Sequence, residues 1–135
     1  MSVDPHRVAV LALLRAPGAL PDPIDVFDDA IPAGVLPPYV RIFTTLSYPD
    51  SEDLRSTSNR AQLRIICHCA GGSATAADVV ATAVRSVLLD AVPVVAGRAC
   101  FPIRNESGAV MTPDETTGIL IIDAIESYRL ESVPG

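Results

Sequence analysis

Apolar and polar residues alternate along positions 62–69, which is the pattern of a strand with one face against a core. The apolar and polar sets are Leu63, Ile65, Cys67 and Cys69 against Gln62, Arg64 and His68. After two glycines, apolar residues recur every three or four positions from Ala74 to Leu89, which predicts a helix. Thr75 begins a capping-box spacing, and Ser73 is a second candidate cap. A strand followed by a helix that packs on its apolar face is the nucleus of an α+β domain.

The flanking patterns predict the remaining elements. Asp4-Pro5 predicts the start of an N-terminal helix that ends near Arg15. β-Branched and aromatic residues predict a strand at Tyr39–Leu46, and a closing strand is predicted at Gly118–Leu130, buried on both faces at its start. Residues 93–101 predict a hairpin with its turn at Ala96-Gly97. We therefore expect a single α+β domain over residues 1–135, with a mainly antiparallel sheet of about four strands and helices packed on one face.

Three segments have no regular spacing of apolar and polar residues. Residues 18–38 are rich in proline and allow at most a short edge strand at Ile24–Phe27. Residues 47–60 and 104–117 are predicted to be polar loops of mixed charge. Loops of this length in compact domains are usually functional or mobile, so these two are the predicted contact segments.

Charge and cysteine content restrict the classes of function. The formal net charge of −6 argues against a basic surface that binds duplex nucleic acid, and all ten basic residues are arginine. The apolar run Val8–Leu14 is too short to span a bilayer, so no membrane association is predicted. Three cysteines give no disulfide framework, which favours a reducing compartment.

Candidate chemistry is sparse. Cys67 and Cys69 share one face of a strand while His68 points away, so these three cannot surround one metal ion, and the thiols are predicted to be core residues. The aspartates of residues 25–29 lack a calcium-loop pattern, and Gly71-Gly72-Ser73 lacks the lysine of a phosphate-binding loop. With His6 and His68 as the two histidines, no Ser/His/Asp set is predicted. We therefore predict no catalytic residue, no cofactor and no metal.

Short segments of the sequence nevertheless follow one another in an order that is similar to that of a known protein family. An N-terminal helix is followed by Val26-Phe27-Asp28 and by Pro37-Pro38-Tyr39-Val40. After the polar insert come Leu63 to Cys67, the helix with Val84-Arg85-Ser86-Val87-Leu88, Val94-Val95-Ala96-Gly97 and the closing strand 118–130. In this order the chain resembles the tail terminator, or tail-completion, proteins of long-tailed bacteriophages. The proline-rich segment and the Cys-His-Cys sequence depart from that family's pattern.

The resemblance implies a homo-hexameric ring at the head-proximal end of the tail tube, in the virion and, during assembly, in the host cytoplasm. Such rings stop polymerisation of the tube and provide the surface that joins the neck of the capsid. The implied partners are copies of this chain, the tail tube protein and a neck or connector protein. DNA would pass through the lumen without specific binding, which suits an acidic protein because carboxylates repel phosphates.

A cyclic ring joins two different surfaces of each subunit, so one surface should offer arginines and the other carboxylates. We expect Arg55 and Arg60 to face Glu106, Asp114 or Glu115 of a neighbouring subunit. The remaining interface candidates are the acidic residues of the first polar loop, Asp50, Glu52 and Asp53.

Three alternatives stay open. The first is a neck or head–tail connector protein from the same region of the virion. The second is a small oligomeric α+β enzyme, which would need a cluster of His, Asp or Glu side chains in a cleft between subunits. The third is a binding protein that forms no ring.

Overall fold

The computed structural model describes residues 4–48, 60–114 and 119–135. Within these residues, two helices and six strands follow one another in the order α1 (Pro5–Arg15), β1 (Asp25–Asp28), β2 (Tyr39–Ser47), β3 (Ala61–Gly71), α2 (Ala74–Leu88), β4 (Arg98–Cys100), β5 (Arg104–Asp114) and β6 (Ile121–Pro134). The α+β class predicted from the sequence is confirmed.

The six described strands form one sheet in the order β1-β2-β3-β6-β4, with β5 also paired to β6. β1 runs parallel to β2, and the other pairings are antiparallel. β6 pairs with β3 along one edge, while its other edge is shared between β5, next to the first residues of β6, and β4, next to the last. The sheet is therefore larger than the predicted four strands, and it is mixed.

One face of this sheet packs against both helices, and we call it the helix face. Its buried strand residues are Val40, Ile42, Leu63, Ile65, Cys67, Cys69, Ala124, Tyr128 and Leu130. The helices complete the same core with Val10, Leu11, Leu14, Ala77, Val80, Val84 and Leu88. Because side chains alternate along a strand, the intervening residues lie on the opposite side, which we call the open face. Its central residues are Arg41, Phe43, Arg64, Ile66, His68, Ile125, Ser127 and Arg129.

The junction of β3 and α2 is tightly packed. Ser73 caps the helix, since its hydroxyl accepts a hydrogen bond of 3.1 Å from the Ala76 amide, so the predicted capping box at Thr75 is wrong. A Cβ on Gly71 would lie 2.3 Å from the Ala77 nitrogen. Gly71 therefore lets the first turn of α2 pack directly on the end of β3.

Two side-chain contacts, from Asp4 and from Arg7, fix the first turn of the N-terminal helix. The Asp4 carboxylate caps α1 by accepting from the His6 amide at 3.0 Å, with Pro5 in the first helical turn, as predicted. Arg7 donates from Nε to both carboxylate oxygens of Asp28 at 3.0 Å. This bidentate pair connects α1 to β1, so Asp28 has a structural partner.

Two segments differ from the sequence prediction. Residues 104–114 form β5 instead of part of a loop, because β6 provides a partner strand along their whole length, with register shifts between Asn105 and Val110. Residues 91–95 form no strand, and β4 pairs with the last residues of β6 instead of forming a local hairpin. A turn does occur at Gly97, whose φ is +75°.

The start of the closing strand also differs. The strand begins at Ile121, and Ile119 and Leu120 before it are about half exposed instead of buried on both faces. From Ala124 onward, buried and partly buried residues alternate as predicted. Ile119 and Leu120 are therefore exposed just before the strand, whereas burial begins at Ile121.

Candidate assembly surface

The open face carries arginines directly opposite one another on neighbouring strands. Arg129 of β6 lies opposite Arg64 of β3 on one side and opposite Arg104 of β5 on the other. Like charges in directly opposed positions repel, so this row requires nearby carboxylates.

Each of these arginines has a carboxylate beside it. Glu131 Oε1 lies 3.2 Å from Arg129 Nε, and Glu131 also pairs with Arg60. Arg64 lies 3.6 Å from Glu106. At the edge of the row, Arg104 Nη1 lies 2.5 Å from Asp90 Oδ1. Most of the positive charge is thus offset by a nearby carboxylate, which disfavours this surface as a binding site for a polyanion.

A cavity of about 210 Å³ opens at the other end of the open face. Its lining residues are Ile31, Pro32, Ala33, Gly34, Val35, Tyr39, Arg41, His68, Ile121 and Asp123. His68 Nδ1 is 3.8 Å from Asp123 Oδ2, which is longer than a hydrogen bond, and the His68 ring packs edge-on against Phe43 at 5.3 Å. The Arg41 guanidinium lies over the same Phe43 ring and donates to the Asp29 carbonyl at 2.6 Å. His68 and Arg41 are thus both packed against the Phe43 ring.

Four exposed apolar side chains lie on β5 and just before β6, and we call the residues that carry them the arm. Its exposed large apolar side chains are Val110, Met111, Ile119 and Leu120. Val110 is 60% exposed although it pairs with Ile125 of β6. Clustered exposed apolar residues mark a contact surface more often than isolated ones.

A second apolar surface lies between the proline-rich segment and α2, and we call it the proline groove. It has a volume of about 490 Å³ and is lined by Pro21, Asp22, Pro23, Ile24, Pro37, Pro38, Gly71, Gly72, Ala76, Val79 and Val80. Val79 remains 57% exposed at its rim. The proline-rich segment therefore forms one wall of a concave apolar surface.

An Asp–His–Ser arrangement that the sequence analysis missed lies below the surface. His6 Nδ1 is 3.0 Å from Asp4 Oδ1, and His6 Nε2 is 2.7 Å from Ser132 Oγ. The same hydroxyl accepts from Arg98 Nε at 3.0 Å. Although the order of groups is that of a hydrolytic triad, Ser132 is fully buried and His6 is 4% exposed, so no substrate can reach the hydroxyl. The cluster connects the N-terminus to the last strand.

A buried carboxylate was also missed. Glu126 is on the helix face opposite Cys67, is 4% exposed, and accepts a hydrogen bond of 2.6 Å from the Tyr128 hydroxyl. The alternation that places Ala124, Tyr128 and Leu130 in the core would have placed Glu126 there too. Burial, together with this glutamate, raises the pKa of Tyr128 above its ordinary value.

The cysteines are core residues, as predicted. Cys67 and Cys69 are fully buried on the helix face, while His68 lies on the open face. Burial is the largest cause that raises the pKa of both thiols, and the nearby Glu126 adds to it. The thiolate is the reactive form, so these groups are inert near neutral pH. Among the described residues, no group of three or more His, Cys, Asp or Glu side chains could hold a metal ion.

The predicted interface residues fall into two groups. Arg55, Asp50, Glu52, Asp53 and Glu115 lie outside the described residues. Arg60 and Glu106 both lie on the open face, where each has a partner in its own chain. The Asp114 backbone is placed at the end of β5, opposite Ile121. Contact of these residues with a neighbouring subunit stays a prediction.

Neither a protein-family model nor a curated protein matches this sequence. Among solved structures, the chain is similar to a chain in the structure described as "Virion of native gene transfer agent (GTA) particle". The two chains are 22% identical, the match covers 93% of each, and the TM-score is 0.59. At this identity the similarity establishes a shared fold along almost the whole chain. Within the described part of the chain, neither helix is long and apolar enough to cross a bilayer.

Proposed function

We propose that this protein is a structural component of a phage-like virion, and specifically the tail terminator. In this role, six copies form a ring on the head-proximal end of the tail tube, stop its polymerisation and present a surface to the neck. The ring assembles in the host cytoplasm and remains in the virion. The shared fold with a chain of a gene transfer agent particle, over 93% of both chains, is the observation that carries the proposal.

The surfaces of the protein support an assembly role. The sheet has helices on one face, whereas the open face, the arm and the proline groove leave partly apolar surfaces accessible. Both histidines are in structural contacts, since His6 is buried with Ser132 and His68 packs against Phe43. A protein whose exposed features are contact surfaces is suited to binding copies of itself and a tube.

The charge distribution is compatible with a DNA passage. On the open face, Glu131, Glu106 and Asp90 pair with the four arginines Arg60, Arg64, Arg104 and Arg129. Paired arginines offer few free cations to phosphates, so DNA would slide past this surface without tight binding.

Tail length tests this function directly. Particles produced without this protein are expected to have overlong tails, as seen by electron microscopy, and the intact gene supplied in trans should restore normal length. Tails of normal length that fail to join heads would support the neck or connector alternative and reject termination.

The enzyme alternative has one structural feature to test. Its candidate site is the 210 Å³ cavity with His68, Asp123 and Arg41. A His68→Ala variant that still restores normal tail length would show that this cavity has no role in tail completion. Loss of tail completion by a variant that is stable and forms the ring would favour a role for the cavity in chemistry.

A further inference from the structure

We propose that the cavity of about 210 Å³ on the open face is a binding site for a short carboxylate, either a glutamate or aspartate side chain or a small free carboxylic acid. Arg41 and His68 bind the carboxylate oxygens, and the aliphatic wall of the cavity contacts the carbon chain. The site is present in a single chain, so this inference goes beyond the proposed function and does not depend on it.

The ionisable side chains of this cavity have fewer partners than the arginines elsewhere on the open face. Arg41 donates from Nε to the Asp29 carbonyl at 2.6 Å, but among the described residues its two Nη atoms make no hydrogen bond or ion pair. In the same part of the chain, the side chains of His68 and Asp123 make no hydrogen bond, since the 3.8 Å between them is too long. These two side chains are only 29% and 17% exposed. Mostly buried polar groups require a partner, which a bound ligand can provide.

Phe43 fixes the two basic side chains next to each other. Arg41 of β2 and His68 of β3 are directly opposite in the sheet. Arg41 Cζ lies 4.8 Å from the centre of the Phe43 ring, and the His68 ring packs edge-on against the same ring. Because Arg41 Nε is already bonded to Asp29, the two Nη atoms are the donors that remain for a ligand. A guanidinium held in this way loses little freedom on binding.

The charge of the cavity favours a carboxylate. Arg41 and His68 carry or can take up positive charge, and Asp123 is the one carboxylate among the lining residues. Basic groups in directly opposed positions repel each other, and a carboxylate bound between them removes this repulsion. The planar guanidinium fits the two oxygens of a carboxylate. Since Nδ1 is the His68 nitrogen near Asp123, Nε2 is left to donate to the ligand.

The size and the wall of the cavity restrict the ligand further. Its volume is below the roughly 300–1,000 Å³ of sites for drug-sized molecules, so the ligand is about the size of a side chain. Ile31 and Val35 line one wall and pack on the small buried cluster around Tyr39. This wall has a fixed position and can contact the methylene groups of the ligand. A nucleic-acid phosphate, which has a sugar on each side, does not fit in a cavity of this size.

NMR titration of the free protein with butyrate tests the site. Butyrate should shift the His68 imidazole signals in a saturable way, with a dissociation constant on the order of 1 mM for so small a ligand. Butyramide has the same shape without the charge, so it is the matched control ligand and should bind at least about tenfold more weakly. The absence of a saturable shift, equal binding of butyramide, or tighter binding of inorganic phosphate would each overturn the inference.

Substitutions on the open face locate the bound carboxylate. Arg41→Gln should weaken butyrate binding by about tenfold or more, because it removes the charged donors. Arg64→Gln is the matched control and should change the affinity by less than about twofold, since Arg64 is on the same face but pairs with Glu106. Arg41→Lys retains the charge without the planar donors and should weaken binding by a smaller factor than Arg41→Gln, which keeps the test valid if Arg41→Gln does not fold. Equal losses from Arg41→Gln and Arg64→Gln would show that butyrate does not bind at the cavity.

Carbodiimide coupling distinguishes the two sources of the carboxylate. The chain contains no lysine, so Arg41→Lys introduces a single lysine at the cavity, and Arg64→Lys is the matched control. In assembled particles, a carboxylate side chain that an adjoining chain places in the cavity should be coupled to the Arg41→Lys variant but not to the control, and mass spectrometry identifies it. If butyrate binds and no product between chains forms, the ligand is a free acid.

The two proposals fail on different results. A free protein that does not bind butyrate rejects the carboxylate site and leaves the terminator function intact. Tails of normal length in particles made without the protein reject the terminator function, and binding of butyrate to the free protein would still establish the site.

Discussion

The two faces of the sheet differ in residue composition and in burial although they share the same strands. On the helix face, aliphatic residues and two thiols are fully buried under α1 and α2. On the open face, arginines, a histidine and partly buried apolar residues lie side by side, with carboxylates between the charges. The helix face contains the main core, whereas the open face is accessible to other chains except at the small buried cluster of Tyr39, Ala70 and Ile121. Substitutions on each face separate these two roles.

The largest difference in the loss of stability on substitution is expected between two adjacent residues of β3. Ile65 is fully buried on the helix face, whereas Ile66 is partly exposed on the open face. Ile65→Ala should lower the free energy of unfolding by about 3–4 kcal/mol because it leaves a cavity, and Ile66→Ala by about 1 kcal/mol. Urea denaturation of the free protein measures both. Equal losses would contradict the division of the sheet into a core face and a contact face.

A second contrast concerns two neighbouring glycines. Gly71→Ala places a Cβ 2.3 Å from the Ala77 nitrogen, whereas a Cβ on Gly72 meets nothing within 4 Å. Gly71→Ala should therefore cost about 2 kcal/mol through overpacking between β3 and α2. Gly72→Ala is the control and should stay within about 0.5 kcal/mol of the parent. A tolerated Gly71→Ala would show that α2 does not pack directly on the end of the strand.

The sequence predicts the order and the bounds of β3 and α2 well. The alternation at 62–69 and the three-to-four spacing after Ala74 each follow from burial of a single face, so β3 and α2 have the predicted bounds within a residue or two. The 104–114 segment was not predictable in this way, because it is polar and becomes a strand through pairing with β6. Non-local pairing of this kind leaves little signal in local composition.

The candidate surfaces were harder to predict for the same reason. Residues far apart in sequence, such as Pro23, Pro38 and Val79, form the proline groove together. The apolar start of the closing strand was interpreted as buried, yet Ile119 and Leu120 are exposed on the arm. Hydrophobicity alone does not distinguish a residue buried in its own chain from one that is buried on assembly.

The third prediction is a loss of stability in alkali that originates on the helix face. The ordinary pKa of the two thiols is 9.0, and burial raises the pKa of both in the folded protein. Above pH 9 the unfolded chain loses these protons while the folded chain keeps them, so unfolding becomes more favourable as pH rises. The stabilisation is complete below pH 9 and should fall by about 1 kcal/mol per thiol by pH 10.

Urea denaturation between pH 7 and pH 10 measures this effect. The matched control is the double variant Cys67→Ala and Cys69→Ala, which should lose most of the pH dependence up to pH 10. The Tyr128 hydroxyl, whose pKa is also raised, contributes above its ordinary value of 10.0. An unchanged slope in the double variant would show that the thiols do not control the alkaline response.

The smallest expected effect comes from the ion pairs of the open face. Glu131→Gln removes the carboxylate that pairs with Arg60 and Arg129, on a surface that is partly solvated. The free protein should lose less than about 1 kcal/mol, and 0.5 M salt should reduce the difference because exposed charges are screened. Thermal unfolding at two salt concentrations measures this. A loss as large as that of Ile65→Ala would mean that the open face contributes to the core.

Cryo-electron microscopy of the tail end would show whether the accessible surfaces of this fold become contacts in a ring. We expect a six-fold ring of this protein at the head-proximal end of the tube. In that ring the arm, the proline groove and the open face contact other chains, and α1 and α2 remain packed on the core of each subunit. A tube end without this protein, or a bound single copy whose arm and groove remain in solvent, would contradict this expectation.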